Sequence, residues 1–400
     1  MATQQIKDIL DTEIPDPALS VSFNRQAPVP PEMTFQRAGK AWQYNPSKGQ
    51  YESVPADTLR SHGSDGAALI ERSAATNYVP WSNDFSKWTT FNGASVKSQK
   101  TPLLEGKQAY LVAANETDSF IRLGSGTFSG SQESAYFIFE RTPKDSIDLE
   151  IRNTDQSSTV VRARYTFGSG ASIVSGSGEA RFQVIEEDGA LNNPESSIIA
   201  LQALYTGTGG DGRAMNIFPD PVGGDNQSTF HHAQINHWPT PSSPFPTSGS
   251  AEKREADELE LTNFDAYTSR KGTFLTVITP TLYDQKFSDA GFFGTVGGEI
   301  FGVNMGSEPF SFQSSDRTNP LLKIDNFISP YEKTRLVAGF TENKRRISAN
   351  NTTASGAHDG DLNDESQLPR LLGFNSAPFL LHELRYYPEY LSDLKSEILA

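Results

Sequence analysis

The chain has 400 residues with 32 glycines, 24 prolines and 10% aromatic residues, a length that fits two or three domains and a composition of short strands and tight turns. Its formal net charge of −15 argues against a nucleic-acid backbone or an anionic membrane surface as the main partner. The absence of cysteine excludes disulfides, thiolate nucleophiles and cysteine-type zinc sites together.

Residues 1–68 form the first predicted segment. The opening MATQQIKDILDTEIPDPALS has no apolar run of signal-peptide length, and no stretch is apolar for long enough to span a membrane, so neither export by that route nor membrane insertion is expected. Leu19, Val21 and Phe23 alternate as in a strand, and Met33 and Phe35 begin another. Between them APVPPE (27–32) favours polyproline geometry and lacks a full set of ladder donors. The segment reads as an extended N-terminal arm that packs on another chain.

From 69 to 250 strand candidates follow one another, among them AYLVAAN, SFIRLG, SAYFIFERT, IDLEIRN, VVRARYTFG, SIIALQALYTG and FHHAQINHW. In VVRARYTF, Val161, Ala163, Tyr165 and Phe167 share one parity while Arg162, Arg164 and Thr166 share the other, the pattern of a half-buried antiparallel strand. A domain boundary is expected within PTPSSPFPTSGSAEKREADELEL (239–261), placed at 250/251. A second β domain, 251–400, includes a hairpin in FTENKRRI around Glu342, Asn343 and Lys344. A short C-terminal helix is predicted from Leu391, Leu394 and Ile398, with Ser392 as its cap. The predicted fold is all-β: an arm, two β-sandwiches of jelly-roll or lectin-like type, and that helix.

Three ordered pieces carry a resemblance. LIERSAATNYVPWSNDFSKW (69–88), with Leu69, Ile70, Glu71, Thr76, Asn77, Ser82, Asp84, Phe85 and Trp88, resembles the entry strand of lectin-like β-sandwiches in bacteriophage tail-fibre and head-spike proteins. The upstream FQRAGKAWQYNPSKGQYESVPADTLR is similar to the hairpin leader of that strand. AQINHWPTPSSPFPTSGSAEKREADELEL, with Gln234, Ile235, Arg254, Ala256 and Asp257, resembles the exit from a galactose-binding-like jelly roll. LLHELRYYPEYLSDLKSEILA is similar to the close of a concanavalin A-like domain. The resemblance implies a virion structural protein made in the host cytoplasm. It would be a homotrimer, attached to capsid or tail proteins through its arm and displayed to host-surface glycans.

Two sets of residues are candidate sites. Trp81 and Trp238 are candidate ligand-binding residues, because aromatic faces stack on the apolar faces of sugars; for Trp81, as for Trp88, the competing reading is a core residue of the first strand. In HDGDLNDE (358–365), Asp359, Asp361, Asn363 and Asp364 supply the oxygen donors a Ca²⁺ ion needs, or else form a solvated acidic turn; the EF-hand spacing is absent. His231, His232 and His237 cluster locally without the further ligands of a zinc site and read as hydrogen-bonding residues. GTGGDGR and PVGGDNQ lack the lysine of a phosphate loop and read as turns.

No catalytic residue is assigned: no nucleophile elbow occurs, and no carboxylate pair is singled out for glycoside hydrolysis. The expectation is a non-enzymatic phage fibre or spike with no cofactor except the calcium such a loop would hold. The alternatives are a capsid-decoration or tail-assembly protein, and a glycan-degrading enzyme or its binding module.

Overall fold

A computed structural model describes residues 15–391 apart from 24–28, 63–65, 72–73, 100–102, 128–132, 141–145, 154–157, 185–197, 207–211, 224–226, 237–241, 263–264, 266, 268–269, 281–289, 295–299, 305–310, 316–321, 326–331, 351, 358–369 and 372–378. Among the described residues the regular structure is antiparallel β-sheet, with one 3-10 turn at Phe85–Lys87. The predicted all-β fold is therefore what the sequence forms. The predicted C-terminal helix lies almost wholly in 392–400, outside the described residues.

The chain folds into two compact units, each assembled from separate segments: 39–56 with 74–255, and 1–38 with 57–73 and 256–400. A reading in sequence order expects breaks at 68/69 and 250/251 instead. Composition marks where polar linkers lie, but not which unit each short strand joins. The described part of residues 1–68 lies largely in strands paired within this chain: Leu19–Ser22 with Phe379–Tyr387, Met33–Gln36 with Glu258–Leu261, and Ala41–Asn45 with Gln50–Val54. Leu19, Val21, Phe23, Met33 and Phe35 are at most 7% exposed, so their alternation encodes a packed face.

The 74–255 unit is a jelly roll. Ala109–Ala113 pairs with Gln227–Asn236, Phe120–Thr127 with Gly212–Phe218, Glu133–Glu140 with Ile198–Tyr205, and Ser146–Asn153 with Thr159–Thr166. First strand thus meets last and the pairs nest inward, alternating between two six-stranded sheets. The inner faces supply one core, with Phe137, Phe139, Leu201 and Phe230 from one sheet and Ile121, Leu149, Ile151, Val161, Tyr165, Met215 and Ile217 from the other. Phe85 and Trp88 join it from the stretch quoted above; burying side chains of this size contributes roughly 2–3 kcal/mol each.

The two outer faces differ. On the sheet containing Glu133–Glu140, Tyr136, Ile138 and Ala200 are covered by Trp42, Tyr44 and Tyr51 of the Ala41–Val54 hairpin, together with Leu103, Leu104 and Phe245. The other sheet turns polar side chains outward and is described below.

The other unit contains an eight-stranded sheet, centred on Lys271–Pro280 and Phe379–Tyr387, and a five-stranded sheet. The hairpin predicted around Glu342, Asn343 and Lys344 joins Thr334–Thr341 to Lys344–Ala349; its turn is Glu342 and Asn343, and Lys344 already pairs with Thr341. Its most concentrated electrostatic feature is a buried network. Arg60 reaches Glu71 Oε2 and Asp257 Oδ2, each at 2.5 Å, and Arg37 reaches Asp257 Oδ1 at 3.1 Å, with every side chain at most 2% exposed. The Glu71 N–H donates to Asp257 Oδ2 at 2.8 Å, and the Asp257 N–H donates back to the Glu71 carbonyl at 3.0 Å. Burial works against the Arg60 charge, yet Asp257 and Glu71 hold its pKa above the ordinary value. Arg37 and Arg60 come from the leader, Glu71 from the entry stretch and Asp257 from the exit stretch. The leader, the entry stretch and the exit stretch thus meet in one ion network.

Candidate ligand-binding face

The residues singled out from the sequence separate into three groups. Trp88 is 4% exposed and belongs to the jelly-roll core, where its indole N–H donates to the Trp81 carbonyl at 3.1 Å. Trp81 itself is half-buried, with the Lys87 ammonium 5.8 Å from the ring centroid and Gly249 packed against its benzo edge. Beside it, Asp84 accepts from the Tyr110 hydroxyl at 2.8 Å and from the Ser86 N–H at 3.2 Å. Burial opposes the Asp84 charge, but these donors hold its carboxyl below the usual range. Trp238 and the loop residues Asp359, Asp361, Asn363 and Asp364 lie outside the described residues. Among the described residues no group of three or more His, Asp or Glu is arranged to hold a metal ion.

The histidines serve packing and hydrogen bonding. His231 Nδ1 accepts from the Leu103 N–H at 3.2 Å, which fixes the tautomer so that Nε2–H faces Glu140 Oε1 at 3.1 Å. His232 is fully buried beside Gln234 Oε1, and burial pushes its pKa down to about 4. His237 lies outside the described residues.

A larger constellation stands on the outer face of the jelly-roll sheet formed by Gly170–Gly176, Thr159–Thr166, Ser146–Asn153, Gly212–Phe218, Phe120–Thr127 and Thr89–Phe91. Period two sends Ile147, Leu149 and Ile151 inward and Asp148, Glu150 and Arg152 outward. Register then aligns neighbours into rows. Phe91 lies opposite Phe120, and Phe218 opposite Asp148, which in turn faces Arg164. In the next row Thr89, Arg122, Asn216, Glu150 and Arg162 follow one another across the strands. In the third, Gly124 faces Ala214, which faces Arg152.

Aromatic and charged groups interlock on this face. Phe91 and Phe120 stack at 4.6 Å with planes 10° apart, and Phe218 follows at 4.9 Å from Phe120. The Arg122 guanidinium lies 5.0 Å and 5.1 Å from the first two ring centroids, and that of Arg162 lies 4.1 Å from the third. Asp148 accepts from Arg162 Nε at 2.6 Å and from Arg164 Nε and Nη2 at 2.6 and 2.8 Å. Glu150 accepts from the Thr159 hydroxyl at 2.6 Å and the Asn216 amide at 2.5 Å, and Asn216 in turn accepts from Arg122 Nε at 2.7 Å. The two carboxylates are buried to 4% or less, while the arginines reach the surface. Four arginines stand over two buried carboxylates here, with exposed Asp118 3.8 Å from Arg162 at the edge.

Sequence reasoning found part of this face. The outward parity of Arg162 and Arg164 was readable in one strand, whereas Arg122, Arg152 and the phenylalanines lie on other strands. Only the register brings them together.

No protein-family model and no curated protein sequence matches the chain. Among solved structures it is similar to the binding domain of Paraclostridial Mosquitocidal Protein 1, with 13% identity and a TM-score of 0.26 over 36% of this chain and 40% of that one. It is also similar to Trypanosoma rangeli sialidase (9%, TM-score 0.26, 77% of this chain and 62% of that one) and to domains LG4-5 of the mouse laminin alpha1 chain (9%, TM-score 0.23, 76% and 92%). The chain thus spans less than two thirds of the first two. The fold class is that of its own sheets, all-β with a jelly-roll sandwich, and the functional reading rests on its own residues.

Proposed function

We propose that this chain is a bacteriophage virion protein, displayed as a fibre or spike, whose jelly-roll unit binds glycans of the host surface. The observation that carries the binding assignment is the outer sheet face on which exposed Thr89 and half-buried Phe91, Phe120 and Arg122 stand in register. A saccharide offers C–H faces and hydroxyl edges together, and such a mixed surface matches both. The virion assignment rests on the three ordered stretches of sequence. Attachment to the particle is assigned to the N-terminal residues, and host-facing display to a homotrimer.

A shallow face binds weakly at each site, so many copies on one particle supply the affinity through effective concentration. Binding is proposed rather than hydrolysis. Asp148 and Glu150 already accept from Arg162, Arg164, Thr159 and Asn216, which leaves neither carboxyl disposed as a general acid.

The test pairs imaging of intact virions carrying the labelled chain with a glycan array probed by the full-length protein. A projecting threefold feature and saturable glycan binding are expected. A flat layer buried between other subunits would leave a purely structural role, and an array with no bound glycan would remove the binding assignment.

A further inference from the structure

The loop at Trp81 differs from the sheet face in how its polar groups are used. Asp148 and Glu150 direct their oxygens to neighbours within the sheet, whereas three groups around Trp81 keep theirs for solvent. Asp84 receives its three donors, the Ser86 N–H and hydroxyl and the Tyr110 hydroxyl, on Oδ1 alone. Among the described residues nothing donates to Asp84 Oδ2 and nothing accepts from the Trp81 indole N–H, and both atoms reach solvent. The Lys87 side chain is exposed, and its ammonium forms no salt bridge among the described residues.

The loop that presents these groups is fixed from below. Ser82 and Asn83, next in the chain, are buried. The Ser82 N–H donates to Thr247 Oγ1 at 3.1 Å, the Thr247 N–H donates back to Ser82 Oγ at 2.8 Å, and the Asn83 amide donates to the His231 carbonyl at 2.7 Å. Gly249, at a φ of 97°, brings bare backbone against the benzo edge of Trp81, where a Cβ would stand 3.2 Å from the ring. Its chain neighbours Ser248 and Ser250 are exposed and uncharged. A ligand therefore meets side chains already in place, which lowers the ordering cost of binding.

The chemistry of the three groups selects the ligand. Lys87 and Asp84 carry opposite charges, so an anion gains from one what it loses to the other, and a cation fares the same. An uncharged ring bearing hydroxyls meets no such opposition. Its C–H face packs on the indole, one hydroxyl donates to Asp84 Oδ2, and others accept from the indole N–H and the ammonium. The ammonium stands 5.8 Å from the ring centroid, at the outer limit of a cation–π contact, and its exposed stem lets it turn to a hydroxyl.

We infer that Trp81, Asp84 and Lys87 form a second glycan site on the jelly-roll unit, one that takes a neutral pyranose. This goes beyond the sheet-face reading, whose residues it does not use.

The test measures binding of the full-length chain to immobilised glucose, galactose, mannose and glucuronate conjugates at low and high salt, with the unfolding temperature of each variant as a control. Saturable binding of a neutral conjugate, with an affinity that hardly changes with salt, is expected. Trp81→Ala should weaken it about tenfold, and Trp81→Phe, which keeps a ring but loses the N–H, by less. Asp84→Asn, which sets an amide donor where a carboxylate oxygen accepts, should also weaken it about tenfold. Neutral conjugates that bind Trp81→Ala and Asp84→Asn as tightly as the native chain would overturn this site and leave glycan binding to the sheet face. A preference for glucuronate that fades with salt would overturn the neutral ligand class. Absence of binding to every conjugate would overturn both this site and the sheet-face reading.

Discussion

Asp257 joins two arginines and the backbone of Glu71 in one buried network, so its removal leaves Arg37 and Arg60 charged and without their shared acceptor. Loss of one partner from a buried pair costs about 3–5 kcal/mol, and Asp257→Ala is expected to destabilise its unit by that order in calorimetry. All four tryptophans fall in segments of the jelly-roll unit, so the transition followed by indole fluorescence should move far less. Within the jelly roll the two tryptophans of the 69–88 stretch separate cleanly. Trp88→Ala should cost about 3–5 kcal/mol through the cavity it leaves, and half-buried Trp81→Ala about 1 kcal/mol, both read by urea denaturation. His232 sets a pH dependence. Its folded pKa of about 4 lies below the unfolded value near 6.5, so the unfolded chain binds the extra proton between them and stability falls as pH drops through that window. The expected slope approaches 1.4 kcal/mol per pH unit near pH 5, and His232→Gln should flatten it.

At the scale of elements, the hairpin and many of the strands were legible because alternation is a local property. VVRARYTF declares its two faces without reference to any neighbour. Register was not legible, and with it went the ligand face, since Arg122, Arg152 and Arg162 become neighbours only through the pairing of four strands. The same limit hid the edge hairpin at Gly170–Gly176. There the pairing shifts between Arg162 and Ala163, and Gly176 takes a φ of 83° with its Cβ position 2.2 Å from the Val160 carbonyl oxygen. Any side chain must displace backbone there, so Gly176→Ala is expected to cost about 1–3 kcal/mol in urea denaturation. Asp257 and Glu71 were visible as parts of motifs, but their meaning as one ion network required segments 186 residues apart to meet.

At the scale of the whole molecule, the two units interleave along the sequence, and this decides which fragments fold. A piece cut at 69 and 250 loses the Ala41–Val54 hairpin and the Glu252–Arg254 strand that pairs with Ala75–Asn77. Tyr136 and Ile138 would then face water. The fragment 39–255 is expected to be monodisperse in size-exclusion chromatography and 69–250 to aggregate.

The pairing of Leu19–Ser22 with Phe379–Tyr387 also has a consequence in time. The earlier strand waits for a partner made far later along the chain, so its sheet cannot close until that partner has been synthesised. The jelly roll, complete once residue 255 has emerged, can fold while the ribosome is still working. Each nascent chain therefore passes through a stage in which the jelly-roll unit is finished and the other unit still has open strand edges, the interval in which neighbouring copies on a polysome are most exposed to one another.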